Sequence, residues 1–138
     1  MTYAGDLTPG QTWYLLQDEP KTVLVDVRTA AELQYVGEPD LSALGRDTVR
    51  IEWLRYPGGA LNDRFLDELA AAGVTPETPV VFLCKTGVRS VAAAEAATAA
   101  GYARAYNVLG GFEGPLDGSG HRGGVDGWKA GGMPWRQP

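Results

Sequence analysis

The sequence contains very few of the residues that bind metals or form disulfides. Among its 138 residues there is one cysteine, Cys84, and one histidine, His121. A single cysteine excludes an internal disulfide framework, and this pair cannot supply the four ligands of a structural zinc site. We therefore expect no bound metal, and a lone free thiol favours a reducing, cytoplasmic location.

Long apolar runs and an excess of basic residues are also absent. No run approaches the roughly 18 apolar residues that a membrane-spanning helix needs. The first residues lack the basic and apolar regions of a signal peptide. Lys and Arg total 12 against 17 for Asp and Glu, which gives a net charge of −5. Because nucleic-acid binding depends on neutralising phosphates, we expect neither a nucleic acid nor a membrane as partner.

The length and composition are typical of one globular domain. A chain of 138 residues leaves little room for a second domain. Hydrophobic residues make up 44% and charged residues 21%, which is ordinary for a globular protein. Since no internal repeat is found, we predict a single domain over residues 1–138.

Two helix starts are marked by capping boxes, in which a Thr and the residue three positions later each bond the other's backbone N–H. Thr8 and Gln11 have this spacing, and Pro9 between them suits a first helical position. Thr29 and Glu32 repeat the pattern. The sequence therefore predicts one helix from residue 9 to about 18 and a short one after residue 29.

Further helix signals come from a cap, a glycine and a run of alanine. Asn62 or Asp63 is the expected cap of a third helix, with Gly73 just beyond its end. The alanine-rich stretch from about 89 to 100 predicts a fourth helix. A short helix is also predicted around residues 125–129, inside an otherwise Gly-rich segment.

Strands are expected between these helices. Runs rich in β-branched residues, or alternating in polarity, predict strands over residues 22–27, 48–53, 80–83 and 105–109. Strands that alternate with helices imply βα units with right-handed crossovers. The predicted fold class is therefore α/β, in three layers, with a mostly parallel central sheet flanked by helices.

The segment after the third predicted strand has the composition of a reactive site. Ligands bind beyond the carboxyl ends of the strands in open parallel sheets. A tight loop there aims backbone N–H groups at one point, and the following helix adds partial positive charge. Such a setting favours the nucleophilic thiolate, although a lone cysteine at a strand end is also compatible with a small core residue. The loop comprises Cys84, Lys85, Thr86, Gly87, Val88, Arg89 and Ser90.

This loop resembles the Cys-x-x-Gly-x-Arg-Ser active loop of the single-domain rhodanese-like sulfurtransferases. Asp26-Val27-Arg28 followed by Glu32 is similar to another segment of that family, as are residues 99–102, 107–112 and 127–135. The resemblance covers roughly residues 8–136. It implies a rhodanese-like fold and transfer of a sulfur atom through a persulfide on Cys84, with no cofactor.

The resemblance also implies the partners and the roles of the loop. The substrates would be a small sulfur donor such as thiosulfate and an acceptor that is a thiol, a cyanide-like molecule or a protein cysteine. Residues Lys85 to Ser90 would form the loop that binds the anion or the persulfide. Cys84 would be the catalytic residue.

The sequence departs from the family pattern in two places. Members usually carry a Gly-His-Ile-Pro-Gly-Ala-like segment after the first helix, whereas residues 35–41 here read Tyr-Val-Gly-Glu-Pro-Asp-Leu. Members that use thiosulfate often have a basic residue two places after the cysteine. Here Thr86 occupies that position, and the lysine is Lys85.

Other residues follow predicted strand ends and are candidates for the pocket rim. Arg28 follows the first predicted strand, where it either lines the pocket or pairs with Asp26 to fix the turn. Trp53 and Arg55 follow the second predicted strand and are rim candidates on the same side of the sheet. His121 lies in the Gly-rich segment 113–124, and the sequence leaves its role open.

Two other classes of function compete with sulfur transfer. A rhodanese module that only binds another protein is one, although such modules commonly lack the cysteine. A cysteine-dependent phosphatase or arsenate reductase is the other. Four residues separate Cys84 from Arg89, whereas the phosphatase loop has five and usually has a histidine where Leu83 stands. The shorter loop suits a sulfur atom better than a tetrahedral phosphate.

Overall fold

The computed structural model describes residues 2–137 as an α/β fold. The strands are β1 (Gly5–Leu7), β2 (Val23–Asp26), β3 (Glu38–Pro39), β4 (Val49–Arg50), β5 (Val80–Leu83), β6 (Ala105–Val108) and β7 (Trp135–Arg136). The helices are α1 (Pro9–Asp18), α2 (Ala30–Val36), α3 (Phe65–Ala71) and α4 (Val88–Ala99), with a 3₁₀ turn over Ser42–Leu44.

Five strands form the central sheet, in the order β1-β6-β5-β2-β4. All four strand pairs in this sheet are parallel, as the alternating elements predict. In the centre, Val25 of β2 lies beside Phe82 of β5, which lies beside Asn107 of β6. A separate antiparallel pair joins β3 to β7. The predicted fold class is confirmed.

The two faces of the sheet are buried against different elements. Val80 and Phe82 of β5 belong to a cluster with Phe65 of α3 and Ala94 of α4. Their neighbours in β5 point to the opposite face because side chains alternate along a strand. That face packs in a second cluster whose buried members are Leu16, Leu24, Leu41, Val81, Leu83, Val108, Phe112 and Trp128.

Both predicted capping boxes are present. The N–H of Gln11 donates to Thr8 Oγ1 at 3.1 Å, and the N–H of Thr8 donates to Gln11 Oε1 at 2.9 Å. Thr29 and Glu32 make the same reciprocal pair at the start of α2. None of the helices within residues 2–137 is long and apolar enough to cross a membrane.

The start of α3 differs from the prediction. Its N-cap is Arg64, whose side chain makes no capping bond. Asn62 instead stabilises the turn before the helix, because its Oδ1 accepts from the N–H of Arg64 at 3.1 Å while its Nδ2 donates to the carbonyl of Glu52. Gly73 follows the last turn of the helix with φ +88°, as predicted.

The predicted strand over residues 48–53 is shorter in the structure. Only Val49–Arg50 qualifies as β4. Beyond it, the N–H groups of Ile51 and Trp53 still donate to carbonyls of the β2 segment, at 3.1 and 3.0 Å. The chain then turns back on itself through a bridge between Leu54 and Leu61, which ends the parallel pairing.

The helix predicted over residues 125–129 is wrong. The N–H groups of Trp128 and Lys129 donate to the carbonyls of Gly111 and Phe112, at 2.8 and 3.1 Å, and not along a helix. Gly127 has φ +99°, which is incompatible with helical backbone. This segment therefore packs as a loop against the residues that follow β6.

Candidate active site

Cys84 lies at the carboxyl end of β5, with its sulfur enclosed by the loop that follows. The N–H of Gly87 donates to Cys84 Sγ at 3.1 Å, and Ser90 Oγ lies 3.1 Å from the same sulfur. The residue is 1% exposed. A backbone donor and a hydroxyl at the sulfur distinguish Cys84 from a cysteine that only fills an apolar core.

The loop passes directly into α4. Gly87 is the N-cap of that helix and has φ +111°, in the left-handed region, where glycine is strongly favoured. Its conformation turns its own N–H toward the sulfur. The first turn of α4 adds the partial positive charge of a helix N-terminus beside Cys84.

The residues after β6 hold the loop from behind. The N–H of Phe112 donates to the carbonyl of Cys84 at 2.7 Å, and that of Glu113 to the carbonyl of Lys85 at 3.0 Å. This approach requires Gly111, since a Cβ there would lie 2.5 Å from the carbonyl oxygen of Cys84. The predicted motif ending in Gly110-Gly111-Phe112 thus fixes the position of the loop 84–90.

Arg89 is bound to a carboxylate on α2. Its Nη1 and Nη2 donate to Glu32 Oε1 and Oε2 at 2.6 and 2.8 Å. Burial opposes the ionisation of Glu32, but hydrogen bonds from Arg89 and from the Thr29 N–H lower its pKa to about 2. The hydrogen bond to Glu32 raises the pKa of Arg89, and the nearby Cys84 contributes in the same direction. Arg89 therefore ties α4 to α2, with its charge balanced.

A line of polar side chains runs from the sulfur to the edge of the sheet. Ser90 Oγ donates to Asn107 Oδ1 at 2.6 Å, and Asn107 Nδ2 donates to Asp6 Oδ1 at 3.0 Å. The sequence interpretation missed Asp6 and assigned Asn107 no role. No local signal marks Asp6, because it reaches Asn107 only through the register of β1 on β6.

The remaining loop side chains are partly or fully exposed. Val88 is 77% exposed, and Lys85 and Thr86 are half-buried. None of the hydrogen bonds found within residues 2–137 involves the side chains of Lys85 or Thr86. Their predicted part in binding an anion stays a prediction.

The three rim candidates lie in different environments. Arg28 is 1% exposed; its Nη2 donates to Asp26 at 2.7 Å and its guanidinium lies 4.3 Å from the centre of the Phe112 ring. It therefore supports the turn beneath the loop rather than an open rim. Trp53 packs edge-on against Phe65 at 5.0 Å.

Arg55 lies near the start of α3. Its Nη2 donates to Asn62 Oδ1 at 2.5 Å and lies 3.8 Å from Glu68 Oε1. The Arg55 side chain is 45% exposed, so it is partly open to solvent. Contact of Trp53 or Arg55 with a substrate stays a prediction.

His121 is exposed and lies in a turn closed by Asp117. The N–H of His121 donates to Asp117 Oδ1 at 2.9 Å, and its carbonyl accepts from the N–H of Asp117 at 2.7 Å. The hydrogen bonds of the Cys84 sulfur are with Gly87 and Ser90. His121 is therefore not part of the described contacts of the thiol.

A cavity of about 400 Å³ lies between α2 and β4. Arg28, Leu33 and Ile51 are among its lining residues, but no residue of the loop 84–90 is. The cavity is thus separate from the reactive sulfur.

A cysteine in a strand–loop–helix turn at the carboxyl edge of a parallel sheet is the arrangement expected of the rhodanese-like class of α/β proteins. A family model described as the STR4 middle domain matches residues 7–138. The chain belongs to the rhodanese-like sulfurtransferase family.

Solved structures and sequence relatives agree with this placement. The structure of Rv0390 from M. tuberculosis is 57% identical, with a TM-score of 0.88 and coverage of 99% of each chain. The polysulfide-sulfur transferase homodimer from Wolinella succinogenes is 31% identical, with a TM-score of 0.57, covering 77% of this chain and 68% of that one. The thiosulfate sulfurtransferase GlpE of Actinobacillus pleuropneumoniae is 30% identical over 129 residues, which are 94% of this chain and 90% of the relative.

Proposed function

We propose that this chain is a sulfurtransferase that moves a sulfane sulfur from a donor such as thiosulfate to a thiophilic acceptor through a persulfide on Cys84. The observation that carries the proposal is the hydrogen bond of 3.1 Å from the Gly87 N–H to the Cys84 sulfur. A backbone donor held at a helix start stabilises negative charge on sulfur without reorganisation during the reaction. Two relatives have names that describe transfer of sulfur.

The reaction proceeds in two displacements. The Cys84 thiolate attacks the outer sulfur of thiosulfate; the new bond to Sγ forms as the donor S–S bond breaks, and sulfite leaves with the electron pair. An acceptor such as cyanide then attacks the terminal sulfur. The Sγ–S bond breaks, the thiolate is restored and thiocyanate is released. No external oxidant or cofactor is needed, because each step exchanges one nucleophile for another.

The described contacts of Arg89 favour sulfur transfer over phosphatase chemistry. A phosphatase loop needs its arginine directed at a bound phosphate. Here both terminal nitrogens of Arg89 bind Glu32, and four residues separate Arg89 from Cys84. In our proposal, Arg89 positions the loop, while backbone N–H groups stabilise the sulfur.

The nature of the partners follows from the single thiol. Since Cys84 is the only cysteine in the sequence, no second thiol of this chain can empty the persulfide. The acceptor is therefore external, either a small thiol, a cyanide-like molecule or a cysteine of another protein. We place the reaction in a reducing cytoplasm, where a free thiol persists, and assign it to one rhodanese-like domain.

A turnover assay tests the proposal. Wild-type protein and Cys84→Ser are incubated with thiosulfate and cyanide, and thiocyanate is measured over time. We expect the wild type alone to form thiocyanate, with ping-pong kinetics. The same amount of thiocyanate from both proteins would refute a role for Cys84.

The burial of Cys84, at 1% exposure, favours a second candidate, a module that binds protein without transferring sulfur. The rate of alkylation by iodoacetamide at neutral pH separates the two. A sulfurtransferase thiol should react faster than a thiol in an unfolded reference peptide at the same pH. A slower reaction, with no transfer of sulfur, would favour the binding module.

A further inference from the structure

Three hydrogen bonds connect the Cys84 sulfur to a carboxylate on the edge strand. Cys84 Sγ lies 3.1 Å from Ser90 Oγ, Ser90 Oγ lies 2.6 Å from Asn107 Oδ1, and Asn107 Nδ2 lies 3.0 Å from Asp6 Oδ1. Cys84, Ser90 and Asn107 are buried, with exposures of 1%, 0% and 3%. Asp6 is exposed, so the line begins at solvent and ends at the thiol.

The direction of every hydrogen bond in this line is set at Asp6. An ionised carboxylate only accepts hydrogen bonds, so Asn107 must turn its Nδ2 toward Asp6. Its Oδ1 then faces Ser90. Asp6 also accepts from the hydroxyl of Tyr3 at 2.8 Å, and this hydrogen bond raises the pKa of Tyr3 above its ordinary 10.0.

The consequence reaches the sulfur through Ser90. A hydroxyl has one hydrogen to donate, and that of Ser90 is used by Asn107. Toward Cys84, the serine oxygen can therefore only accept, which suits an S–H group and disfavours a thiolate. Donation from Ser90 to the sulfur would leave two bare oxygens 2.6 Å apart, on Ser90 and Asn107.

We propose that Asp6 is a positioning residue that fixes the direction of this hydrogen-bonded line and thereby makes the Ser90 hydroxyl an acceptor toward the Cys84 sulfur, which opposes formation of the thiolate. Gly87 acts in the opposite sense, since its N–H stabilises the thiolate. Asp6 thus sets a balance between a protected thiol and a reactive one. The consequence for catalysis rests on the proposed function, in which formation of the persulfide starts from the thiolate.

Other charged groups lie on the elements around the thiol. They are Lys85 in the loop, Arg89 of α4 paired with Glu32 of α2, Arg28 paired with Asp26 at the end of β2, and Asp126 in the segment that packs on Gly110. All of them are retained in the variants used below. A difference between variants therefore reports on Asp6 and its line.

The decisive variant is Asp6→Asn. An asparagine keeps a hydrogen-bonding side chain of the same size, but it can donate as well as accept. Asn107 is then free to rotate its amide, donate to Ser90 and allow the serine hydroxyl to turn to the sulfur. We expect the midpoint of the pH profile for Cys84 alkylation to fall by about one unit, the shift that one ordinary hydrogen bond corresponds to.

Loss of a negative charge at Asp6 would shift the midpoint in the same direction, and two measurements separate these causes. Glu95→Gln removes another exposed carboxylate, on α4, without touching the line, and should leave the midpoint unchanged. In 1 M salt, interactions between charges are screened over about 3 Å, whereas the effect of hydrogen-bond direction should remain.

A double-mutant cycle with Ser90→Ala completes the test. Without the serine hydroxyl the line is broken, so Asp6→Asn should no longer move the midpoint. A shift that persists in the Ser90→Ala background, or no shift at all in Asp6→Asn, would overturn the inference. If Ser90→Ala does not fold, the alkylation midpoints of wild type and Asp6→Asn are compared in 1 M salt. Disappearance of the midpoint shift in high salt also overturns the inference.

Alkylation needs no sulfur donor, so this result does not depend on the proposed function. Thermal unfolding of each variant is recorded at the same time. A purely structural Asp6 would lower the unfolding temperature and leave the midpoint of alkylation where it is in the wild type.

Discussion

At the scale of single residues, the sulfur of Cys84 has two close partners, the Gly87 N–H and the Ser90 oxygen, each at 3.1 Å. One donates to the sulfur, and the other accepts from it when Asn107 keeps its observed orientation. No charged side chain is hydrogen-bonded to the sulfur within residues 2–137. The described hydrogen-bond partners of the sulfur are therefore one backbone N–H and one hydroxyl, both positioned by the loop 84–90.

Gly111 offers a direct test of how that loop is held. In Gly111→Ala, the new Cβ would lie 2.5 Å from the Cys84 carbonyl oxygen, at φ +61°. We expect a loss of about 2 kcal/mol or more in the free energy of unfolding, because strain and a backbone clash combine. Alkylation of Cys84 should change as well, since the loop must move.

Gly120→Ala is the matched control for this substitution. Gly120 also has a positive φ, +80°, but its Cβ would meet nothing within 4 Å. Gly120→Ala should lose only about 1 kcal/mol in the free energy of unfolding, from backbone strain alone. The alkylation of Cys84 should be unchanged in this variant. Equal losses in urea unfolding for both variants would show that Gly111 does not hold the loop.

At the scale of elements, the pair between Arg89 and Glu32 joins the start of α4 to α2. The two side chains are 21% and 25% exposed, so solvent screens their attraction only partly. Glu32 also accepts from the N–H of Thr29 as half of a capping box. One carboxylate thus starts α2 and positions the reactive loop.

The low pKa of Glu32 predicts a pH-dependent contribution to stability. Its pKa falls from 4.5 to about 2 on folding, so the contribution is complete above pH 4.5 and is lost as the pH falls toward 2. At about 1.4 kcal/mol per pH unit, Glu32→Gln should lose about 3 kcal/mol at pH 7. Urea unfolding at pH 7 and at pH 3 measures this, and the difference between the two proteins in the free energy of unfolding should shrink to less than half at the lower pH.

Glu19→Gln provides the comparison, because Glu19 binds Arg104 with similar geometry at the surface, where the two side chains are 39% and 38% exposed. Glu19→Gln should lose less free energy of unfolding than Glu32→Gln, and this loss should diminish in salt. A constant difference between wild type and Glu32→Gln from pH 7 to pH 3 would contradict the assignment.

Local signals in the sequence account for much of the fold. Both capping boxes and the β-branched runs of β2 and β5 are found where they are expected, because these features depend on neighbouring residues. The strand β1 has three residues, and its partner β6 is about a hundred positions away, so nothing local reveals it. The loop over residues 125–129, predicted as a helix, depends on pairing with Gly111 and Phe112. Because this pairing is likewise non-local, no local signal reveals it.

The same distinction holds for the candidate site. The loop from Cys84 to Ser90 is contiguous, so its residue types could be recognised together. Arg89 and Glu32 are 57 positions apart in the sequence, and Asn107 and Asp6 are 101 positions apart. These contacts appear only when the order of strands in the sheet is known.

At the scale of the whole molecule, the two faces of the sheet have separate cores, and the C-terminal segment completes one of them. Trp128 is 0% exposed, and the centre of its ring lies 6.3 Å from that of Trp13. Its Nε1 donates to the carbonyl of Pro134 at 2.7 Å. The N–H groups of Trp128 and Lys129 also donate to the carbonyls of Gly111 and Phe112, the residues that pack behind the loop 84–90. Stability and the position of Cys84 are therefore linked.

Trp128→Ala tests that link. Truncation of a fully buried Trp should cost about 3–5 kcal/mol, and alkylation of Cys84 should lose its wild-type pH profile. Trp135→Ala is the control. Because Trp135 is 43% exposed, its truncation should lower the free energy of unfolding much less. Similar losses for both variants in chemical unfolding would show that the tail does not complete this core.

The central claim is that Cys84 carries the sulfur, and mass spectrometry of the intact protein tests it most directly. Wild type and Cys84→Ser are each incubated with thiosulfate and then separated from it. The intact mass of each protein is measured before and after addition of cyanide. The account predicts that the wild type alone gains the mass of one sulfur atom, and that cyanide removes it as thiocyanate. A wild-type protein that alkylates readily at Cys84 yet gains no sulfur from thiosulfate or from other sulfane donors would contradict it.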